Sequence, residues 1–163
     1  MLPNTGYTAA KNLTAATMLL RLIIALLLLP CSLAAEPLAQ RLEYASTHAE
    51  QVSNLLLSQP ADTLSAEDWL VLTEAQLRLR NKDAAMDAVS HALDISHKPY
   101  LQAYAYLLKA QIYGILYRDT VIAITQLERA EHLLQHAEDA ASLALYSDVL
   151  QNFAQAYNQL GNI

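Results

Sequence analysis

The sequence has few of the residues that form turns, disulfides or phosphate-binding loops. Of its 163 residues, three are glycine, five are proline and one is cysteine, whereas 54% are hydrophobic. The single cysteine, Cys31, cannot form an internal disulfide or a multi-thiolate metal site. The glycines stand far apart, which excludes a glycine-rich phosphate loop. This composition favours one domain built mainly from helices.

Basic residues are also scarce. All sixteen acidic residues lie at or beyond Glu36, whereas Lys11 and Arg21, two of the ten basic residues, precede it. Residues 36–163 therefore carry eight basic and sixteen acidic groups, a net charge of −8. A surface of this sign argues against nucleic acid or another polyanion as the partner. The charges form no dense run, which is typical of an ordinary solubilising surface.

The N-terminal segment has the pattern of an export signal. An eight-residue apolar run follows Arg21 and ends at Pro30, and Ser-Leu-Ala at residues 32–34 offers a signal peptidase small residues two positions apart. We therefore predict that residues 1–34 are a signal peptide, cleaved after Ala34, and that the mature chain is exported to the periplasm. That mature chain contains no cysteine, which suits an oxidising compartment.

Three further features of this segment bear on the prediction. Met18 would begin a signal peptide of ordinary length, so we interpret residues 1–17 as a start-site extension. The alternative, a retained membrane anchor, needs about 20 apolar residues, whereas the uncharged run covers residues 22–35. Lipid attachment at Cys31 is disfavoured because Pro30 stands where such sites need a small residue.

Apolar residues at steps of three and four predict helices along the rest of the chain. A capping box of Ser65 and Asp68 starts the helix that runs to Arg80. Residues 81–83 form a polar turn that supplies a cap for the following helix. The other predicted helices cover residues 38–57, 101–117, 120–135 and 139–160, with Pro99 in a first turn and residues 118–119 as a turn.

Two of these helices carry the same apolar stripe. Ala85, Val89 and Ala92 recur as Ala123, Leu127 and Ala130, each 38 residues later. A fixed period of this size is typical of stacked helical hairpins, none of which can bury its apolar face alone. We therefore predict an all-α protein of about six helices, built from antiparallel helical hairpins.

The same residues resemble the tetratricopeptide repeat family. Its pattern appears first as Trp69-x2-Leu72 before the Ala85 stripe, and then as Tyr106-x3-Ala110-x2-Tyr113 before the Ala123 stripe. It appears a third time as Leu150-x2-Phe153-Ala154-x2-Tyr157-x3-Gly161. The resemblance implies that residues 35–163 form a short right-handed solenoid with a concave groove.

The chain departs from the family pattern in three ways. Thr73 and Gln76 stand where the family has Gly and Tyr, and the 44-residue step from Ala110 to Ala154 exceeds the usual 34. Long-spaced repeats behind a signal peptide are similar to the sensory ectodomains of bacterial signalling proteins, including diguanylate cyclases and histidine kinases. The last repeat is incomplete, so either the final helix serves as a cap or this chain is the front part of a longer protein, and we favour the second interpretation.

In this family the first helix of each pair lines the groove, and the match by register implies the peptide-binding residues. The polar ones are Glu67, Glu74, Arg78, Tyr104, Gln111, Asp148, Gln151, Gln155, Asn158 and Gln159, with Leu70, Leu77 and Leu107 between them. Side-chain amides can pair with the backbone of an extended peptide, although a solvated helix face is the alternative for the Gln and Asn residues. Without a cluster of Lys and Arg, the groove is not expected to bind a terminal carboxylate.

Tyrosines and histidines offer two further candidate sites. Tyr104 lies on the other face of its helix from Tyr106, Tyr113 and Tyr117, which are expected to pack between helices, so Tyr104 is the better ligand contact. His132 and His136 lie four residues apart and could share a metal. Without a third ligand in a fixed position, solvated histidines near a helix end are the better interpretation, and we predict no metal site.

No arrangement of nucleophile and base appears, so we predict that the chain is not an enzyme and uses no cofactor. The predicted function is that of an exported scaffold that binds a protein or peptide partner in its groove. The exposed stripe of Phe153, Tyr157 and Leu160 would allow self-association. The alternative is the periplasmic sensory part of a truncated bacterial signal-transduction protein.

Overall fold

The computed structural model describes residues 37–161, of which residues 38–161 belong to one compact unit. The seven α-helices are α1 (Leu38–Thr47), α2 (Ala49–Leu57), α3 (Ala66–Arg78), α4 (Lys82–Ile95), α5 (Pro99–Gln111), α6 (Thr120–Leu134) and α7 (Ala140–Gly161). A 3-10 turn, Ala61–Thr63, follows α2, and a π-helical segment, Ile112–Tyr117, extends α5. No strand occurs within residues 37–161, which confirms the all-α prediction. The predicted signal peptide and its cleavage site lie outside the described residues.

The prediction of one helix over residues 38–57 is wrong, because that helix is divided at His48. His48 has φ −124° and ψ 39°, outside the helical region, and α2 begins at the next residue. Just before the break, the hydroxyls of Ser46 and Thr47 donate to the carbonyl of Glu43, and that of Thr47 also to the carbonyl of Tyr44. Hydroxyls that bond to carbonyls one turn earlier compete with helix geometry and bend the helix. The division is one reason for seven helices rather than six.

Three helix starts lie where the sequence indicates. At the start of α3, the Asp68 N–H donates to Ser65 Oγ (3.2 Å) and the Ser65 N–H donates to the Asp68 carboxylate (2.9 Å), which confirms the capping box. Pro99 occupies the first turn of α5. Asp119 caps α6 by accepting a hydrogen bond from a backbone amide of its first turn, at 3.0 Å.

The cap predicted from the polar turn at residues 81–83 is not made by Asn81, which stands at the N-cap of α4 without a side-chain hydrogen bond to that helix. Its side-chain amide donates instead to Gln76 Oε1 at 2.7 Å, and its backbone N–H donates to the Gln76 carbonyl at 3.0 Å. Gln76 Nε2 in turn donates to Ser53 Oγ at 2.8 Å, with both of these side chains buried. This chain of hydrogen bonds ties α2, α3 and the turn after α3 together, and a buried amide needs such partners.

The turn between α5 and α6 is preceded by one residue more than the turn between α3 and α4. We call α3 with α4 the first hairpin and α5 with α6 the second. In the first hairpin, the amide of Asn81 donates to the carbonyl of Gln76, five residues earlier. In the second, the amide of Asp119 donates to the carbonyl of Tyr113, six residues earlier, at 3.0 Å. The extra residue lies in the π-helical segment, since a π-helical turn holds one residue more than an α-helical turn.

Helix packing follows the order of the chain. Each of the helices from α3 to α7 packs on its neighbour in sequence, and α1 and α2 both pack on α3. The alternate helices also meet, because α1 contacts α3, α3 contacts α5, and α5 contacts α7. The two alanine stripes that begin at Ala85 and Ala123 are buried throughout. Their repetition therefore reflects equivalent packing of α4 and α6.

The buried residues form two apolar clusters that share α5. The first cluster is drawn mainly from α1 to α5, and the second from α5 to α7. Tyr100 and Tyr104 pack against both clusters, with their rings edge to face at a centroid distance of 6.1 Å. The two tyrosines therefore lie where the two apolar clusters meet. Tyr104 also lines the polar cavity of α1, α3, α5 and α7 that is described in the next subsection.

Candidate functional site

A cavity with a volume of about 320 Å³ lies where the four odd-numbered helices converge. Side chains from all four helices line it: Ala39, Leu42, Glu43 and Ser46 from α1; Glu74 and Arg78 from α3; Tyr104, Leu107, Leu108 and Gln111 from α5; Asp148 and Asn152 from α7. Helical spacing explains the set, since residues three or four apart share a helix face. The lining therefore combines an apolar floor with carboxylates, amides and a phenol.

The one guanidinium that lines the cavity, that of Arg78, forms an ion pair within α3. Arg78 Nε donates to Glu74 Oε1 at 2.7 Å, and the Glu74 side chain is buried whereas that of Arg78 is half-exposed. A buried carboxylate requires such a partner. With these two charges paired, Glu43 and Asp148 give the cavity an excess of negative charge.

Tyr104 is held in its neutral form at the wall of the cavity. Burial is the main cause that raises the pKa of its phenol well above the ordinary value of 10.0, and the neighbouring Tyr100, Asp148 and Glu74 raise it further. A neutral phenol can both donate and accept a hydrogen bond. This phenol lines a cavity whose charge favours cations.

Two amides join α5 to α7 at the edge of the cavity. Gln111 Nε2 donates to Asn152 Oδ1 at 3.4 Å, a long and therefore weak hydrogen bond. Both residues also line a second, smaller cavity of about 60 Å³, together with Gln155 and Gln159. Because the hydrogen bond between these two side-chain amides is weak, each amide can break it and form a hydrogen bond with the backbone of a bound peptide instead.

Arg41 is a buried residue that the sequence analysis did not single out. It is 4% exposed, donates to Asp68 and lies 3.8 Å from the Glu67 carboxylate. Burial works to raise the pKa of Asp68, but the hydrogen bonds from Ser65 and Arg41 outweigh burial and lower that pKa. Arg41 thereby fixes α1 to the N-terminus of α3, which positions the neighbouring Glu43 at the cavity.

The sequence contained a signal for Arg41. It stands three residues after Leu38 and four before Ala45, on the apolar stripe that packs α1 against α3. A charged residue on a buried stripe needs an opposite charge from a neighbouring helix. What the sequence could not supply was which of the acidic residues would lie opposite.

The residues expected in one groove are distributed over several surfaces. Five of them, Glu74, Arg78, Tyr104, Gln111 and Asp148, line the main cavity, and Leu107 lies among them. Glu67 lies beside Arg41 and lines a separate cavity at the N-terminus of α3. Gln155 and Gln159 line the small cavity between α5, α6 and α7.

Four expected groove residues lie elsewhere. Gln151 and Asn158 are exposed and are not among the residues that line either cavity. Each directly precedes a residue that does, Asn152 or Gln159, and successive residues of a helix point about 100° apart. Leu70 and Leu77 are buried in the core, so their placement in the groove was wrong.

His132 and His136 are both exposed, near the end of α6. Within residues 37–161, no group of three or more His, Cys, Asp or Glu side chains is arranged to hold a metal ion. None of the helices in that range is both long and apolar enough to cross a membrane.

Within residues 37–161, the fold and the site thus define an all-helical protein of seven packed helices with an open, negatively charged cavity between alternate helices. Comparison with family models, curated proteins and solved structures finds no match to this chain.

Proposed function

We propose that this chain is a non-catalytic, tetratricopeptide-like scaffold that binds an extended segment of a partner protein in the cavity between α1, α3, α5 and α7. The observation that carries the proposal is the convergence of four alternate helices on one polar cavity. Stacked helical hairpins with a right-handed solenoid arrangement present alternate helices on a concave surface in this way. The contacts of α1 with α3, α3 with α5, and α5 with α7 support that arrangement.

The chemistry of the cavity favours a segment with a lysine or arginine side chain. Glu43 and Asp148 supply negative charge that Arg78 does not neutralise, because Arg78 is paired with Glu74. Tyr104 offers its ring to the bound cation. The amides of Gln111 and Asn152 lie close enough to pair with the peptide backbone on either side. Charge attraction of this kind raises the association rate and selects the partner.

We propose that the cavity binds without catalysing a reaction. Its lining holds no cysteine, histidine or lysine, and its serine, Ser46, donates to the carbonyl of Glu43 within its own helix. Nucleophilic catalysis requires a base beside the nucleophile. We place the scaffold in the periplasm, on the export signal of residues 1–34.

The proposal is tested with the chain from Ala35, which contains the whole compact unit. Immobilised protein is screened against a random library of extended peptides, and the enriched sequences are compared with the input. We expect enrichment of Lys and Arg, with affinities that fall as salt is added. A library recovered without enrichment, or with enrichment of acidic peptides, would reject the proposal.

A pair of variants locates the binding. Glu43→Gln combined with Asp148→Asn removes the unpaired charges, and we expect it to weaken the binding of an enriched peptide roughly two- to thirtyfold, since each exposed charge pair contributes ~0.2–1 kcal/mol. Gln151→Ala on the other face of α7 is the matched control and should bind as the wild type does. Equal affinities for the wild type and both variants would place binding outside the cavity.

A further inference from the structure

The outward face of α7 carries an apolar seam with a seven-residue period. Leu143, Leu150 and Tyr157 are 49%, 46% and 55% exposed, although each is large and apolar. Three residues after each of them stands another large apolar side chain; of these, Tyr146 and Phe153 are partly buried against the second cluster and Leu160 is exposed. Spacings of three and four that repeat every seven residues define the contact positions of a helix that packs along another helix.

The rest of that face is small and uncharged. Four residues after the exposed members of the seam stand Ser147, Ala154 and Gly161, all exposed. Within Ala140–Gly161 the single charged residue is Asp148, which lines the cavity on another face. A solvated helix face normally carries charged residues. A face that combines exposed leucine and tyrosine with small neutral residues is suited to contact with another apolar surface, and small residues allow that surface to come close.

We propose that a second copy of this chain covers the seam, with the two α7 helices antiparallel about a two-fold axis close to Leu150. Leu143, Leu150 and Tyr157 match their own copies in this orientation, because Leu143 and Tyr157 each lie seven residues from Leu150. Leu143 then packs against the partner's Tyr157, and Leu150 packs across the axis. A contact that uses the same patch on both copies closes as a dimer and does not propagate.

Charge explains why the second copy meets this face and not another. Residues 36–163 carry a net charge of −8, so two copies repel each other over most of their surfaces. The seam and the residues beside it on α7 are uncharged, so α7 itself brings no like charge to the contact. The acidic group beside the seam is Glu131 of α6, whose carboxylate accepts a hydrogen bond from the Tyr146 hydroxyl at 3.2 Å. Contact through the seam leaves the cavity open, since the cavity faces away from the seam. Dimer formation is therefore independent of the proposed peptide binding.

The size of the seam sets the strength of the dimer. Residues 143–160 extend about 27 Å, and a helix with its side chains is about 10 Å across. The resulting strip is smaller than the area of about 800 Å² per partner in a standard stable interface. The dimer is accordingly weak, with a Kd on the order of 10 µM or above, and it forms in proportion to protein concentration.

Analytical ultracentrifugation of the chain from Ala35 tests this, over a roughly hundredfold concentration range around the expected Kd. The wild type should shift from monomer towards dimer as concentration rises. Leu150→Asp places a charge in the seam at an exposed position and should remain monomeric with unchanged helical content. Leu55→Asp is the matched control, because Leu55 on α2 is 43% exposed, and it should behave as the wild type does. A wild type that stays monomeric throughout, or an equal shift in all three proteins, would overturn the proposal.

Cysteine cross-linking tests the orientation in the same protein, which lacks Cys31. Under mild oxidation Leu150→Cys should give a covalent dimer, because the two side chains meet near the axis. Leu143→Cys should not, since its two copies would lie about 21 Å apart along antiparallel helices, beyond the reach of a disulfide. Efficient cross-linking through Leu143→Cys, or none through Leu150→Cys, would contradict the antiparallel arrangement.

Discussion

Arg80 and Arg118 occupy equivalent positions 38 residues apart, and both have left-handed backbones, with φ of 59° and 56°. Within residues 37–161, no other residue has a positive φ. Each is followed by a residue whose amide returns to a carbonyl in the preceding helix. The interval equals that of the two alanine stripes. The repeat therefore includes the conformation of the turn as well as the packing of the second helix.

Because Arg80 and Arg118 have left-handed backbones, we expect glycine at either position to stabilise the protein. A side chain in this conformation costs about 1–2 kcal/mol, whereas the extra freedom of glycine in the unfolded chain costs ~0.5–1 kcal/mol. Arg80→Gly and Arg118→Gly should each raise the free energy of unfolding, by up to about 1 kcal/mol, measured by urea denaturation. Arg129→Gly, in the middle of α6, is the control and should lower it by about 1 kcal/mol. Destabilisation by all three substitutions would contradict the assigned turn geometry.

Removal of the buried guanidinium should destabilise the fold. Arg41→Ala leaves the Asp68 carboxylate without its partner and removes the packing of the arginine stem, and we expect a loss of about 2–4 kcal/mol in the free energy of unfolding. Chemical denaturation followed by circular dichroism measures it. Arg80→Ala, at an exposed position, should change the same quantity by less than ~0.5 kcal/mol. Similar small effects of both substitutions would show that Arg41 does not hold α1 in place.

The lowered pKa of Asp68 makes stability depend on acidity. Its folded pKa lies below the unfolded value of 3.8, so its stabilising effect is present above that value and is lost as the pH falls through the folded pKa. Asp68→Asn should therefore be less stable than the wild type near neutral pH, and the difference should shrink in acid. Denaturation midpoints of the two proteins across the acid range provide the measurement. A difference that does not vary with pH would exclude this linkage.

The raised pKa of Tyr104 should make the free energy of unfolding fall at alkaline pH. Its folded pKa is raised above 10.0, so its contribution to stability is complete below that pH and is lost as the pH rises further, because the unfolded chain releases the proton more readily. Tyr104→Phe should flatten the loss of stability above about pH 10. A wild-type slope retained in Tyr104→Phe would show that another group governs it.

The structure also indicates which parts of the fold a sequence can reveal. Helix starts at Ser65 and Pro99 follow from local chemistry, and local chemistry is visible in the sequence. The division at His48 depends on the hydroxyls of Ser46 and Thr47, which donate to carbonyls one turn earlier. The apolar spacing of the same segment predicts a continuous helix, so the division is not visible in that spacing. Asn81 could cap a helix or satisfy a buried amide, and the burial of Gln76 decided between them.

The residues that line the cavity could be predicted from the sequence where a helix presents the face that the family register implies. The positions of Glu74, Arg78, Tyr104 and Gln111 agree with the register expected for α3 and α5. On α7 the cavity is lined by Asp148 and Asn152, whereas Gln151 and Asn158 lie beside the seam. The rotation of one helix about its axis depends on which apolar residues its neighbours cover, and this is a property of tertiary packing.

The most direct test of the proposed cavity is a map of backbone amide chemical shifts during titration with a lysine- or arginine-containing peptide from the library screen. We expect the largest changes on the four odd-numbered helices around Glu43, Glu74, Gln111 and Asp148, with little change at Asp87 on α4 or Glu128 on α6. Changes concentrated on α4 and α6, with the amides around the cavity unaffected, would contradict the account.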